Sequence, residues 1–247
     1  MQGCITTGCS GRRSARPLNR SVSRTRLAMN QNTLDSIVVD LSQTIDAIYS
    51  VYLDGSAGFS RFAQTLAEAQ AATMRQLSVT NPALATMEYL DSLGFAYGTG
   101  HPQDPKTVIQ HMTTQGEIRA RNREGGRNHV FLANMCIVTI YQFWEEHFRE
   151  PLAMALGVSK ADLKVPVFGD LRRLRNAIVH NLGIATLDVN KCEVLQWFKS
   201  GDRIEPTKLQ VRSMVEALYE YVDSLPANKV PHPAAAPWPT LELRQEE

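Results

Sequence analysis

Between residues 33 and 53, Leu34, Ile37, Val38, Leu41, Ile45, Ile48 and Tyr52 recur at steps of three and four, which puts them on one face of an α-helix. Asn32 stands where its N-cap belongs, and Asp54-Gly55 reads as its stop. Phe59, Phe62, Leu66, Met74 and Leu77 repeat the pattern more sparsely in a second helix, and Asn81-Pro82 opens a short third that ends near Leu93-Gly94. Residues 98–107 read as loop. Asp104-Pro105 reads as cap and first residue of a piece reaching about Gln115, after which Gly116 and Gly125-Gly126 bracket a basic connection. The longest element spans about 128–156 and is apolar on nearly every side from Val130 to Trp144, which predicts a central helix packed on more than one face, or one that also meets a second copy. From Pro166 to about Leu182, Leu171, Leu174, Ile178 and Leu182 form one stripe and Arg172, Asn176 and His180 another. Only Glu193–Phe198, followed by Ser200-Gly201-Asp202 and Arg203-Ile204, reads as strand. Thr207 and Gln210 then open a last helix in capping-box spacing.

The expected fold is therefore mainly α, a helical bundle with a small β-hairpin near 193–204. Four stretches follow: a disordered basic N-terminal tail over 1–29, a helical region over 30–115, a helical domain over 116–225, and a Pro-rich tail over 226–247. A chain of 247 residues, 43% of them hydrophobic, is long enough to bury a core without disulfides or a structural metal. None of Cys4, Cys9, Cys136 and Cys192 makes a C-x-x-C pair, and Cys136 and Cys192 read as small apolar core residues. No run approaches the length of a membrane span and no apolar leader opens the chain, so the expectation is a cytoplasmic protein with no membrane contact.

Charge changes this picture only locally. The formal net charge is +1, but Arg12, Arg13, Arg16, Arg20, Arg24 and Arg26 stand in the first 28 residues with no acid among them. That composition fits an organellar transit peptide, or an upstream mis-start of the reading frame, with Met29 standing where the periodic pattern begins. Without those arginines, the rest of the chain holds 20 bases against 25 acids, so any polyanion must be recruited through a restricted patch. In the C-terminal tail, Trp238 among the prolines is either a docking residue or exposed.

Several chemistries lack their residues. There is no H-E-x-x-H, no pair of histidines spaced with a carboxylate, no Gly-rich phosphate loop after a strand and no G-x-S-x-G elbow, so no metal site and no cofactor is expected. What remains is the segment Leu171-Arg-Arg-Leu-Arg-Asn-Ala-Ile-Val-His-Asn181. Its Arg175, Asn176 and His180 resemble the signature of the HEPN superfamily (higher eukaryotes and prokaryotes nucleotide-binding), in which an arginine is followed four to six residues later by a histidine. The likeness is best over about 127–225, including the long helix before the motif helix. A second match, Arg123 with His129, straddles Gly125-Gly126, so no continuous helix can hold its two side chains in register.

The resemblance implies a metal-independent endoribonuclease, in a bacterial toxin or phage-defence setting, with RNA as substrate. It further implies a homodimer whose two motif helices face a shared cleft, and a neutralising antitoxin-like partner. The residues suit that chemistry. An imidazole can take and return a proton at neutral pH, as removal of a ribose 2′-proton requires. A guanidinium carries a permanent charge and a fork of donors for the developing phosphorane. Asn176 would hold the imidazole or a phosphate oxygen. Five helical steps put Arg175 and His180 about 140° apart, so either the arginine reaches around, or the helix ends near His180, or two protomers pool their residues. Arg172 and Arg173 flank the motif and are the expected RNA-binding pair, with Arg119, Arg121, Arg123 and Arg127 as a second, weaker basic loop. Glu145, Glu146 and His147 lie on the long helix, where one of the two carboxylates is a candidate to orient His180 or Arg175 and the other reading is exposed charges at a helix end. The same triplet also has purely structural uses: an ion pair, a backbone hydrogen bond and a helix cap. The alternative functions are a non-catalytic module that binds nucleotide, nucleic acid or a protein through the same cleft, and a structural adaptor assembled through the apolar 130–144 helix.

Overall fold

A computed structural model of the chain describes residues 20–100, 104 and 106–227, with side chains from Gln31 onward. Residues 1–19 and 228–247 lie outside that range, so the expectations for Cys4, Cys9 and Trp238 are not addressed by it. The first two expected helices are one helix, α1 (Arg20–Thr80), of 61 residues and roughly 90 Å. It starts within the basic segment that was expected to be a tail. Asp54-Gly55 does not stop it, because Gly55 serves packing: a Cβ there would lie 2.6 Å from Leu132 Cδ2 on the helix that crosses it.

Beyond a 3₁₀ turn at Pro82–Leu84, α2 (Met87–Ser92) is capped by the Thr86 side chain, which accepts from the Tyr89 amide. The chain then makes an antiparallel hairpin of β1 (Gly94–Thr99) and β2 (Val108–Thr114), paired from Gly94–Thr114 to Thr99–Val108 with a bulge after Tyr97. The hairpin therefore lies at 94–114 and not at 193–204, and the helix expected from Asp104 to Gln115 is absent. The physical reason is local: Phe95 and Tyr97 alternate with small residues, Val108, Ile109, Thr113 and Thr114 are β-branched, and Asp104 caps a turn instead of a helix, accepting from the Lys106 amide at 2.8 Å. One face of the hairpin rests on α1, with the Phe95 ring 6.0 Å from Phe62 and 5.2 Å from Tyr97.

The expected basic loop is partly helix, α3 (Gln115–Asn122), whose N-cap Thr114 accepts from the Glu117 amide. A tight turn through Gly126 leads into α4 (Arg127–Phe143). A π-helical turn at Trp144–Phe148 then passes directly into α5 (Arg149–Leu156), which ends at Gly157 with φ +73°. The long apolar element is thus one path with an extra residue in its middle, and both Trp144 and Phe148 are buried. Pro166 occupies the first turn of α6 (Pro166–His180), and α7 (Lys208–Ser224) carries the Thr207/Gln210 capping box that its sequence predicts.

The main core joins the first half of α1 to α4 through α7. Leu41, Ile45, Ile137, Leu152, Leu171, Leu174, Met214 and Leu218 are all essentially inaccessible. Burial of each such side chain contributes about 1.5–3 kcal/mol relative to leaving it in water, which is why the periodic positions dominate the architecture. Leu66, Leu90 and Ile118 are buried where α1, α2 and α3 meet, away from that core. Among the described residues no helix is long and apolar enough to cross a membrane.

Residues 193–204 form no strand. Ile184 and Arg203 make an isolated bridge, and the backbone of 201–204 pairs with 183–185, Ile204 donating to Gly183 at 2.7 Å and Gly201 to Ala185 at 2.8 Å. The partner that Glu193–Phe198 would need is thereby taken, and that segment is held another way, described below.

Two glycine substitutions should move stability in opposite directions. At Gly126 a Cβ would meet the carbonyl oxygens of Ala120, Arg121 and Arg123 at 2.6–2.8 Å, so Gly126→Ala should lower stability by about 1 kcal/mol or more. Gly58, exposed within α1 with nothing within 4 Å of its Cβ position, should gain about 0.5–1 kcal/mol on replacement by Ala. Urea denaturation of the two variants is the check; a stable Gly126→Ala protein would refute the packing of that turn.

Candidate functional site

The α6 helix begins at Val165-Pro166 and ends with His180; Asn181 caps it, and the chain turns away through Leu182 at φ +51° and Gly183 at φ +75°. Leu182 in that left-handed conformation costs about 1–2 kcal/mol, and its side chain is 90% exposed. Val179 beside it is 46% exposed. An accessible apolar pair thus stands next to the histidine at the end of the helix.

Arg175 does reach around the helix. Its Nη1 lies 2.9 Å from His180 Nε2 and donates to Asn176 Oδ1 at 3.1 Å, so the three expected residues touch within one protomer. A guanidinium has donors only, so in a hydrogen bond here the Nε2 lone pair is the acceptor. Arg175 Nε is buried without a partner among the described residues, whereas Asn176 and His180 are exposed. Glu145 does not join them. Its carboxylate accepts from Arg149 at 2.9 Å and pairs with Lys160 at 3.2 Å.

Arg172 and Arg173 differ from each other. Arg173 Nη1 donates at 2.9 Å to Asp170, which is 0% exposed. The same carboxylate accepts from three successive amides, Glu193 at 3.0 Å to both oxygens, Val194 at 2.7 Å and Leu195 at 2.9 Å. This is the arrangement by which loops bind anions, here filled by a side chain, and it is what holds 193–195 against α6. Arg172 is exposed and makes no ion pair among the described residues. Together Arg172 and Arg173 line two adjoining hollows. One, of about 130 Å³, adds Asn176, Thr186, Asp188 and Lys191; the other, of about 480 Å³, extends toward Tyr141, Trp144 and Glu193.

The second basic group is largely committed to packing. Arg119 pairs with Asp91, and Arg121 donates to the Tyr97 hydroxyl at 2.9 Å; Arg123 and Arg127 remain exposed. Arg123 and His129 are not brought together. His129 Nε2 lies 3.1 Å from the Asn122 carbonyl. Among the described residues no group of three or more His, Cys, Asp and Glu side chains is placed to hold a metal ion.

Sequence reasoning missed Asp170, Lys191, Tyr141 and Glu193. Asp170 had a signal: it is an acid on the buried stripe, four residues before Leu174 and seven before Ala177, a position that demands a partner. The others are assembled by a loop whose path no periodicity records. In comparisons with known proteins, no family model, no curated protein and no solved structure matches this chain.

Burial pushes the Cys136 thiol up to about 12, and burial together with the nearby Asp170 carboxylate does the same for Cys192. Neither thiol should therefore react with iodoacetamide at pH 8 in the native protein. Asp170→Asn removes the charge that the three amides and Arg173 are arranged around, and should cost about 3 kcal/mol or more. Cys192 should then alkylate before Cys136, since its loop is released first. Peptide mass spectrometry after timed alkylation reads both effects, and rapid labelling of Cys192 in the unmodified protein would contradict them.

Proposed function

We propose that the protein is a metal-independent endoribonuclease of HEPN type, with Arg175, Asn176 and His180 as its catalytic residues and Arg172 and Arg173 as RNA contacts. The observation that carries the reading is the 2.9 Å approach of Arg175 Nη1 to His180 Nε2 at the exposed end of α6. A permanent cation and an imidazole nitrogen thus stand side by side at an exposed helix end, where one phosphodiester could meet both. When the scissile phosphate enters, Arg175 exchanges the imidazole for phosphate oxygens, a stronger, charge-assisted partner. Nε2 is thereby freed to accept the 2′-hydroxyl proton. The 2′-oxygen then bonds to phosphorus, the bond to the 5′-oxygen breaks, and that oxygen takes a proton from solvent or from the His180 imidazolium formed when the 2′-proton was accepted. The products are a 2′,3′-cyclic phosphate and a 5′-hydroxyl end, and the atoms balance without a metal.

The working unit in this reading is a homodimer joined near the ends of two α6 helices. Val179 and Leu182 support it, as exposed apolar side chains flanking His180. A neutralising antitoxin-like partner would compete for the same surface, in a toxin or phage-defence setting and in the cytoplasm. The second reading, a non-catalytic module that binds RNA or nucleotide, is favoured by one observation: neither hollow beside Arg172 and Arg173 is lined by His180.

The test uses purified protein, excess EDTA and a mixed RNA pool, with product ends identified enzymatically. Cutting should leave 2′,3′-cyclic phosphates. His180→Ala should lower the rate by about 100-fold or more, with little change in thermal stability because His180 is exposed, and Arg175→Ala should lower it by a comparable factor. Full activity of the His180→Ala protein ends the enzyme reading. RNA binding that survives this change and falls with Arg172→Ala would favour the module.

A further inference from the structure

The larger hollow beside Arg172 has more chemistry than a phosphate contact requires. Its floor is the Trp144 ring stacked on Phe168 at 3.8 Å and 7°, with Tyr221 edge-on to both at about 6 Å, so the wall is rigid. Tyr141 stands half-buried among the lining residues, and burial raises its phenol, keeping the hydroxyl protonated. At about 480 Å³ the cleft lies in the range that holds one nucleotide-sized ligand.

Its charges sort themselves by partner. Burial pushes the Glu145 carboxyl up, but the hydrogen bonds and charges of Arg149 and Lys160 outweigh this and hold it below its ordinary range. Asp170 is matched by Arg173. Among the described residues this leaves three lining groups with no ion pair within 4 Å: Arg172, Lys164 and Glu193. Two free cations call for an anionic group. One free carboxylate, set by the anchoring of its own backbone amide on Asp170, calls for donors. Among the bases only guanine presents two adjacent N–H donors on its pairing edge, the match for a carboxylate. Uracil has a single N–H between acceptors, while adenine and cytosine have one amino group each beside an acceptor.

We infer that this cleft binds a guanine nucleotide of the RNA strand, with its phosphate on Arg172 and Lys164 and its base edge on Glu193. The inference deepens the nuclease reading and rests on it for the strand. Arg172 and Arg173 also line the smaller hollow with Asn176 and Lys191, and the stripe Arg172, Asn176, His180 advances roughly 6 Å per step along α6, close to the phosphate repeat of an extended strand. A free guanine nucleotide offers the same base and phosphate but nothing to fill that continuation.

The test is fluorescence anisotropy with the His180→Ala protein, which keeps labelled RNA intact, and two tetranucleotides of uridine carrying one guanine or one adenine. The guanine strand should bind at least tenfold tighter, with an inosine strand, lacking the second donor, in between. Glu193→Gln keeps the backbone amide and should bring the guanine-to-adenine ratio near one, while Arg172→Ala weakens both strands alike. Guanosine monophosphate should compete far less well than the oligonucleotide; equal competition would assign the cleft to a free nucleotide and overturn the strand. Equal binding of the two strands, no binding of either, or an unchanged ratio in Glu193→Gln overturns the guanine site. Cleavage without guanine preference would leave the nuclease and remove this inference, whereas guanine-selective binding without cleavage would do the reverse.

Discussion

The carboxylate of Asp170 is the interaction on which the site depends. Removing an ionised carboxylate from water costs several kcal/mol, and only well-placed donors return it. Here the Arg173 guanidinium and the amides of residues 193–195 do so, with five hydrogen bonds of 2.7–3.0 Å. The loop from the end of α6 to the start of α7 has little regular structure of its own, so this anchor fixes where Glu193 and Lys191 stand relative to α6. It also shapes the electrostatics: Arg173 is paired with Asp170, whereas Arg172, Lys164 and Glu193 on the same surface make no ion pair among the described residues.

The elements most legible in the sequence are those whose boundaries carry their own chemistry. Pro166 starts α6 because a proline loses nothing in a first turn, and Thr207 with Gln210 starts α7 because the two side chains satisfy each other's backbone amides. The misread places are those where a distant contact overrides a local signal. Asp54-Gly55 has the composition of a helix stop, yet the glycine is there to admit Leu132, and the helix runs on. Glu193–Phe198 has the composition of a strand, yet Asp170 takes its amides while residues 183–185 take the backbone of 201–204. The hairpin at 94–114 was hidden because Asp104 suits a helix cap and a turn equally well; the β-branched residues that follow it were the better guide.

The candidate site was legible to a similar degree and for similar reasons. A stripe of Arg172, Asn176 and His180 follows from helical spacing alone. The contact of Arg175 with His180 does not, since a five-residue step places two side chains on different faces. It forms because His180 is the last helical residue, beyond which Asn181 and Leu182 leave the helix, so no following turn shields the imidazole from a long arginine. Tyr141, Lys191 and Glu193 were invisible because their proximity is a property of the loop's path.

Three arginines within four residues of one helix therefore have three different fates, set by helix geometry together with the group that each one meets. Successive residues are turned by about 100°, so Arg173 stands well away from Arg175, whereas Arg172 and Arg175 lie only about 60° apart and are separated by what each side chain meets. Arg173 falls toward the buried stripe and meets Asp170; Arg175 falls toward the helix end and meets His180; Arg172 makes no ion pair among the described residues, although Asp188 and Glu193 line the hollows it borders. A basic run read as a single patch would assign all three to one polyanion. The folded helix divides them into an anchor, a partner for an imidazole and a cation without an ion pair, so a ligand would meet three different arginines and not one uniform patch.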